Sequence, residues 1–242
     1  MSRQMCRQLN RQMSCPKHLC RICLVTGGSG SGKSAYAEET VIRSGIPRRV
    51  YLATMKVFGE EGRKKVERHR KLRRKKGFVT VECPAGLGAL VLADVDAACD
   101  GAAGSYAGEP GSYAGAAGNC ANIPEEGRAV RERAVLLECM GNLAANELFA
   151  EGEETVPVTE REEAVFERIK EGINRIREQC SFLVVVSDEV FSDGVDYGEE
   201  TNAYIRLLGA LNCWLAKEAD RVIEVVYGIP VVIKGEQEEC FG

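Results

Sequence analysis

The run Ile22-Cys23-Leu24-Val25-Thr26 followed by Gly27-Gly28-Ser29-Gly30-Ser31-Gly32-Lys33-Ser34 decides the fold. A short apolar, partly β-branched run that ends in glycines reads as a strand, and residues 34–44 have helical composition up to the break at Gly45-Ile46-Pro47. The octapeptide between them satisfies GxxxxGK[ST] in the strand–loop–helix setting that gives this motif its meaning. Glycines let successive amides turn toward phosphate oxygens, and the following helix N-terminus adds positive potential. Lys33 then reaches the β- and γ-phosphates, and Ser34 is placed to ligate Mg²⁺. The motif predicts a bound nucleoside triphosphate but does not choose a reaction.

Working outward, apolar runs predict strands at 50–54, 78–82, 134–138, 183–187, 222–226 and 231–234. Helical patterns fill 62–76, 87–98, 158–179 and 201–219, with Val165, Ile169, Ile173 and Ile176 along one face of the third. Short continuous apolar strands alternating with helices predict a three-layer α/β P-loop fold with a mostly parallel sheet. The last two strands, joined at Tyr227-Gly228-Ile229-Pro230, predict a C-terminal hairpin. Residues 1–20 read as a flexible extension and 21–242 as one catalytic domain. Within it, 100–128 is a Gly/Ala-rich insertion that repeats GSYAG at 104–108 and 111–115 and has too little apolar area to order itself.

At 242 residues, 45% hydrophobic and 28% charged, the composition fits one globular domain and excludes collagen, coiled coil and wholesale disorder. A net charge of -4 gives no global attraction to nucleic acid or to a membrane surface, so neither partner is expected. Apolar runs such as Phe182 to Val186 fall far short of the roughly 20 residues that span a bilayer. The N-terminal segment is basic but lacks the apolar core of an export signal. With eleven irregularly spaced cysteines, this predicts reduced thiols in the cytoplasm. Cys15, His18, Cys20 and Cys23 include zinc-type donors, yet Cys23 opens a buried strand, and the reading is against a metal there.

Two acidic positions are candidates for holding Mg²⁺ or its waters. Glu138 closes the strand AVLLE, while Asp188 and Glu189 follow LVVVS, and both sites are C-terminal strand ends, where open α/β sheets bind ligands. The second unusual feature is RKKVERHRKLRRKK at 63–76, a dense basic run around His69. It reads as a nucleic-acid patch, as a solvated helix face, or as a triphosphate-handling surface with a nucleophile in its middle. A neutral imidazole attacks phosphorus well near neutral pH, and neighbouring cations favour that neutral form while offsetting substrate charge. Composition does not choose among the three.

LVTGGSGSGKSAYAE at 24–38, VYLAT at 50–54, KVERHRKLRR at 65–74, FVTVE at 78–82, LLEC at 136–139, VVVSDEV at 184–190 and ADRVIEVVYGIPVVIK at 219–234 occur in an order that resembles the bifunctional adenosylcobinamide kinase / adenosylcobinamide-phosphate guanylyltransferase family. The resemblance implies a RecA-like fold, a homotrimer and a role in cobalamin biosynthesis. It implies phosphorylation of adenosylcobinamide by ATP or GTP, then GMP transfer from GTP through a guanylyl-histidine at His69. By the same resemblance, Lys33 is catalytic alongside His69. The nucleotide contacts are Gly27 to Ser34, Thr54, Met55, Lys56, Arg70, Lys71, Leu72, Arg73, Glu82 and Glu138, with Mg²⁺ held by Ser34 and Glu138. The chain departs from the family pattern at Asp188, where Asn is usual, and at Ile205-Arg206. A P-loop kinase without GMP transfer and a nucleotide-dependent nucleic-acid-binding protein are the alternatives.

Overall fold

A strand that is apolar at every position has no face to offer to water and must be covered on both sides. Phe182–Val186 (β5) is such a strand, buried throughout, and it lies at the centre of the sheet. The computed structural model describes residues 20–56, 60, 67, 71, 73–93, 95, 132–150, 152, 156–190, 195 and 197–236. The expectations for residues 1–19, for the 100–128 insertion and for His69, Arg70 and Leu72 lie outside these.

The elements are Arg21–Thr26 (β1), Lys33–Arg43 (α1), Arg48–Ala53 (β2), Phe78–Glu82 (β3), Arg133–Glu138 (β4), Met140–Leu148 (α2), Val158–Glu178 (α3), β5, Glu199–Glu218 (α4), Arg221–Val226 (β6) and Ile229–Lys234 (β7). They form a seven-stranded sheet in the order β3-β2-β4-β5-β1-β6-β7. All neighbours pair in parallel except β6 and β7, the predicted hairpin. One strand, β5, separates β1 from β4, as in RecA-like P-loop sheets. The α/β expectation therefore holds.

Alternation along the strands divides the core. Ile22, Leu24, Leu183 and Val185 face the side packed by α2, α3 and α4, together with Leu143, Ile169, Ile173, Leu208 and Leu211. Cys23, Val25, Val184 and Val186 face the other side, where α1 contributes Ala37 and Val41. β7 is different: Ile229, Val231 and Ile233 are 65%, 43% and 60% exposed, so one face of this edge strand is apolar and uncovered.

Two local expectations need correction. The helix expected at 87–98 is instead a 3₁₀ turn at Leu87–Ala89, an extended Leu90, and helical residues at 92, 93 and 95. The left-handed Gly86 starts that turn, and two side chains from elsewhere hold it, with Gly86 N–H donating to Glu147 at 2.7 Å and Leu92 N–H to Gln179 at 2.7 Å. Conversely, α2 was not anticipated, because its polar residues serve distant partners. Asn146 Nδ2 donates to Thr54 O and Pro84 O at 2.8 and 2.9 Å, and the buried Glu147 also takes Arg168 at 3.0 Å. As for the cysteine group, Cys20 and Cys23 are buried, and Cys20 Sγ lies 3.5 Å from Cys180 Sγ; no metal-holding cluster occurs among the described residues.

The turn at Leu87–Ala89 seats on Gly172 of α3, where a methyl group would meet Leu87 Cβ at 2.7 Å and Gly88 N at 3.1 Å. Neither neighbour is the end of a flexible chain. Gly172→Ala should destabilise the fold by about 1–3 kcal/mol through overpacking, read as a lower urea midpoint; an unchanged midpoint would show that the turn yields freely.

Candidate active site

The glycines after β1 do what the motif requires of them. Gly30 and Gly32 adopt φ of 70° and 93°, and Gly32 caps α1. Such backbone costs glycine nothing and directs amides into the concavity of the loop. Lys33, the first residue of α1, is 8% exposed. Its ammonium donates to Gly28 O at 3.1 Å and pairs with Asp188 Oδ1 at 3.0 Å, so the loop lysine is already pointed at the end of β5.

The two acidic candidates take different partners. Ser34 Oγ donates to Glu138 Oε1, and Tyr51 Oη donates to the other oxygen, Oε2, at 2.9 Å. Glu138 thus joins the P-loop helix to β2 across the intervening strand. Burial, and then the Glu138 carboxylate, push the Tyr51 phenol well above its usual range, so it remains the neutral donor of this pair. Over the Tyr51 ring lies the Arg73 guanidinium, 3.6 Å from the centroid, and Arg73 and Lys76 both pair with Glu38 of α1. The described end of the basic segment is therefore docked onto the P-loop helix and, through Tyr51, onto Glu138.

Asp188 sits among different neighbours. Its Oδ2 and Tyr204 Oη both lie against Gly141 in the first turn of α2, and Asn212 Nδ2 donates to Asp188 O at 3.3 Å. Burial, then the Asp188 charge, raise the Tyr204 hydroxyl to about 12 and the Cys139 thiol to about 12. Both stay protonated at neutral pH beside this carboxylate. The oxygen donors Ser34 and Glu138 fit Mg²⁺, which prefers a few hard oxygen ligands and keeps several waters.

Other expected contacts are placed as follows. Thr54 is fully buried; its N–H donates to Glu138 O at 2.9 Å and its hydroxyl to Cys139 O at 2.8 Å, so it fixes the chain that carries Glu138. Met55 and Lys56 are exposed just beyond it, and Lys71 is exposed on the basic segment. Glu82 ends β3 in register with Ala53, which is itself in register with Glu138. Two strand spacings put Glu82 about 10 Å from Glu138, and four put it about 19 Å from β1, beyond the phosphate loop. Tyr51, Cys139 and Tyr204 were not anticipated; the one local signal was a tyrosine inside the apolar strand VYLAT, where a buried hydroxyl needs a partner.

A P-loop between β1 and α1, with acidic residues at the ends of β4 and β5, defines a nucleoside-triphosphate-binding protein of the RecA-like class. Residues 23–99 and 118–233 match the family model described as cobinamide kinase / cobinamide phosphate guanyltransferase. The chain belongs to that family. The bifunctional adenosylcobalamin biosynthesis protein CobU of Salmonella typhimurium is 29% identical over 215 residues, covering 87% of this chain and 98% of that protein. The corresponding CobP of Pseudomonas aeruginosa is 25% identical over 216 residues, covering 88% and 97%. Among solved structures, the flagellar accessory protein FlaH of Methanocaldococcus jannaschii aligns with 96% of this chain and 88% of its own, at a TM-score of 0.40 and 12% identity. Among the described residues no helix is long and apolar enough to cross a membrane.

Asp188 competes with phosphate for Lys33 and repels incoming anions. Asp188→Asn should therefore tighten GTP binding several-fold when measured by calorimetry in EDTA; weaker binding would show that the ion pair organises the loop instead. A thiol held near 12 is almost entirely protonated at pH 8 and alkylates slowly. In peptide-mapped iodoacetamide labelling of the native protein, the exposed Cys213 should react well before Cys139.

Proposed function

We propose that this enzyme phosphorylates adenosylcobinamide with ATP or GTP and then transfers GMP from GTP to the product, giving adenosylcobinamide-GDP for cobalamin biosynthesis. The observation that carries the reading is the chain of contacts from Ser34 through Glu138 and Tyr51 to Arg73, which ties the P-loop to the segment containing His69. In a member of this family, that chain supports a reading in which both phosphorus chemistries share one sheet edge.

In the kinase half, the loop amides and Lys33 hold the triphosphate tail, and Lys33 exchanges Asp188 for phosphate oxygens. Mg²⁺ held by Ser34 and Glu138 would offset the negative charge of the phosphate tail. Tyr51 keeps Glu138 aimed at Ser34 rather than at solvent.

In the transferase half, a ring nitrogen of His69 forms a bond to the α-phosphorus of GTP while the α–β P–O bond breaks and pyrophosphate leaves. A phosphate oxygen of adenosylcobinamide phosphate then attacks the same phosphorus, the P–N bond breaks, and the imidazole is regenerated. Arg70 and Arg73 offset the charge on the transferred group, and Thr54, Met55, Lys56, Lys71, Leu72 and Glu82 complete the nucleotide contacts. The same reading makes the enzyme a cytoplasmic homotrimer, and the uncovered apolar face of β7 supports self-association.

Incubation with Mg²⁺ and α-labelled GTP, without a corrinoid, should leave label on the denatured protein. That label should be acid-labile and alkali-stable, and absent from His69→Ala. Unlabelled protein that still binds GTP would overturn the transferase half and leave a P-loop kinase.

A further inference from the structure

A pair of thiols lies at the pole of the sheet opposite the phosphate loop, and the reactions above do not use it. Cys20 immediately precedes β1, and Cys180 lies between α3 and β5, so both stand at the N-terminal ends of adjacent parallel strands. Glu138 and Asp188 lie at or beyond the C-terminal ends of theirs. The two sulfur atoms are 3.5 Å apart, and the residues are buried, at 5% and 6% exposure.

That contact is fixed by the backbone on both sides. Arg21 N–H donates to Ser181 O at 3.0 Å and Ile22 N–H to Asp220 Oδ2 at 2.8 Å, which holds the chain just after Cys20. Arg133 Nη1 donates to Gln179 O at 2.7 Å and Ser181 N–H to Arg133 O at 3.0 Å, so both residues flanking Cys180 are tied to the start of β4. A disulfide bond measures about 2.0 Å, so the sulfurs have about 1.5 Å to close, a distance within the reach of side-chain rotation. The two thiols are also unequal. The contact with Cys180 and, after it, the charge of the buried Arg177 hold the Cys20 thiol below its ordinary range in spite of burial, while the same contact pushes Cys180 up. A thiolate is the nucleophile in thiol oxidation, and a second thiol within reach resolves its product.

We propose that Cys20 and Cys180 are a reversible disulfide site, oxidised by hydroperoxides and reduced by small thiols, that clamps the start of β1 to the start of β5. Cys20 Sγ attacks one oxygen of hydrogen peroxide, the O–O bond breaks, and the departing hydroxide takes up a proton to become water, leaving a sulfenic acid on Cys20. Cys180 then loses its thiol proton and attacks Cys20 Sγ; the S–O bond breaks, and the hydroxide leaves with that proton as a second water. The two thiols together lose two electrons, and the peroxide gains them. The bridge joins residues 160 apart in the chain, so it restricts the unfolded state strongly.

Hydrogen peroxide is the probe, because it is close to water in size and the pair is nearly sealed. The reduced full chain is exposed to it, denatured, blocked with N-ethylmaleimide and mapped by peptide mass spectrometry. The expected map joins the Cys20 and Cys180 peptides, and dithiothreitol separates them. Oxidised wild type should melt roughly 5–15 °C above reduced wild type. Cys180→Ala should form no bridge and show no such rise, and its Cys20 should instead take up dimedone as a sulfenic acid. Where that variant fails to fold, the wild-type map still decides. Free thiols at both positions, after treatment that oxidises the exposed Cys213, overturn the proposal, as does a bridge from either residue to a different cysteine. A Cys20–Cys180 bridge that leaves the melting temperature unchanged or lower overturns the clamp.

Discussion

The in-register parallel pairing of β3, β2, β4, β5 and β1 is the constraint on which the site depends. Glu82, Ala53, Glu138, Val186 and Val25 are successive partners across the sheet, so the strands stop at one level and their following loops emerge on one edge. That level brings the Glu138 carboxylate within reach of the first hydroxyl of α1 and of Tyr51 on the adjacent strand. A shift of one residue in β4 would turn Glu138 to the opposite face, because strand side chains alternate. The four apolar residues before it, each buried between helices, set the register, and the functional carboxylate inherits its position from them.

Charge in the site is arranged as exchangeable pairs. Lys33 is neutralised by Asp188, and Glu138 accepts from two hydroxyls, so neither is left buried without a partner. A triphosphate entering the loop takes over the role of Asp188 toward Lys33, which makes binding an exchange of counter-ions rather than the insertion of an anion beside a bare cation. The neutral groups nearby remain donors: Tyr51 stays protonated above Glu138, and Cys139 and Tyr204 stay protonated beside Asp188. Added negative charge at any of these three would oppose the phosphate tail.

What could be read from the chain follows the range of the interactions involved. The P-loop is local, since strand, glycine loop and helix adjoin within residues 21–43, and all three formed as expected. The central strands and α3 were legible because unbroken apolar runs and a 3.6-residue stripe are themselves local patterns. By contrast, α2 was opaque: Asn146 and Glu147 look like loop residues until Thr54, Pro84 and Gly86 arrive from other segments to use them. The choice between Glu138 and Asp188 was open for the same reason. Their spacing along the chain is equivalent, and only the sheet order assigns one to Ser34 and the other to Lys33. The docking of Arg73 on Tyr51 joins residues from separate elements and left no trace in either segment.

The position of β1 in the sheet orders events during synthesis of the chain. Among the described residues it is the first strand made, yet its two neighbours are β5 at 182–186 and β6 at 221–226. Until the ribosome has released nearly the whole chain, β1 has no ladder to join, and the glycine loop that follows it has no fixed anchor. The partners of β2, which are β3 and β4, are synthesised before either partner of β1. Nonlocal pairing of this kind slows folding. A truncated chain ending before β6 therefore carries the full P-loop motif with β1 held by only one of its two ladders.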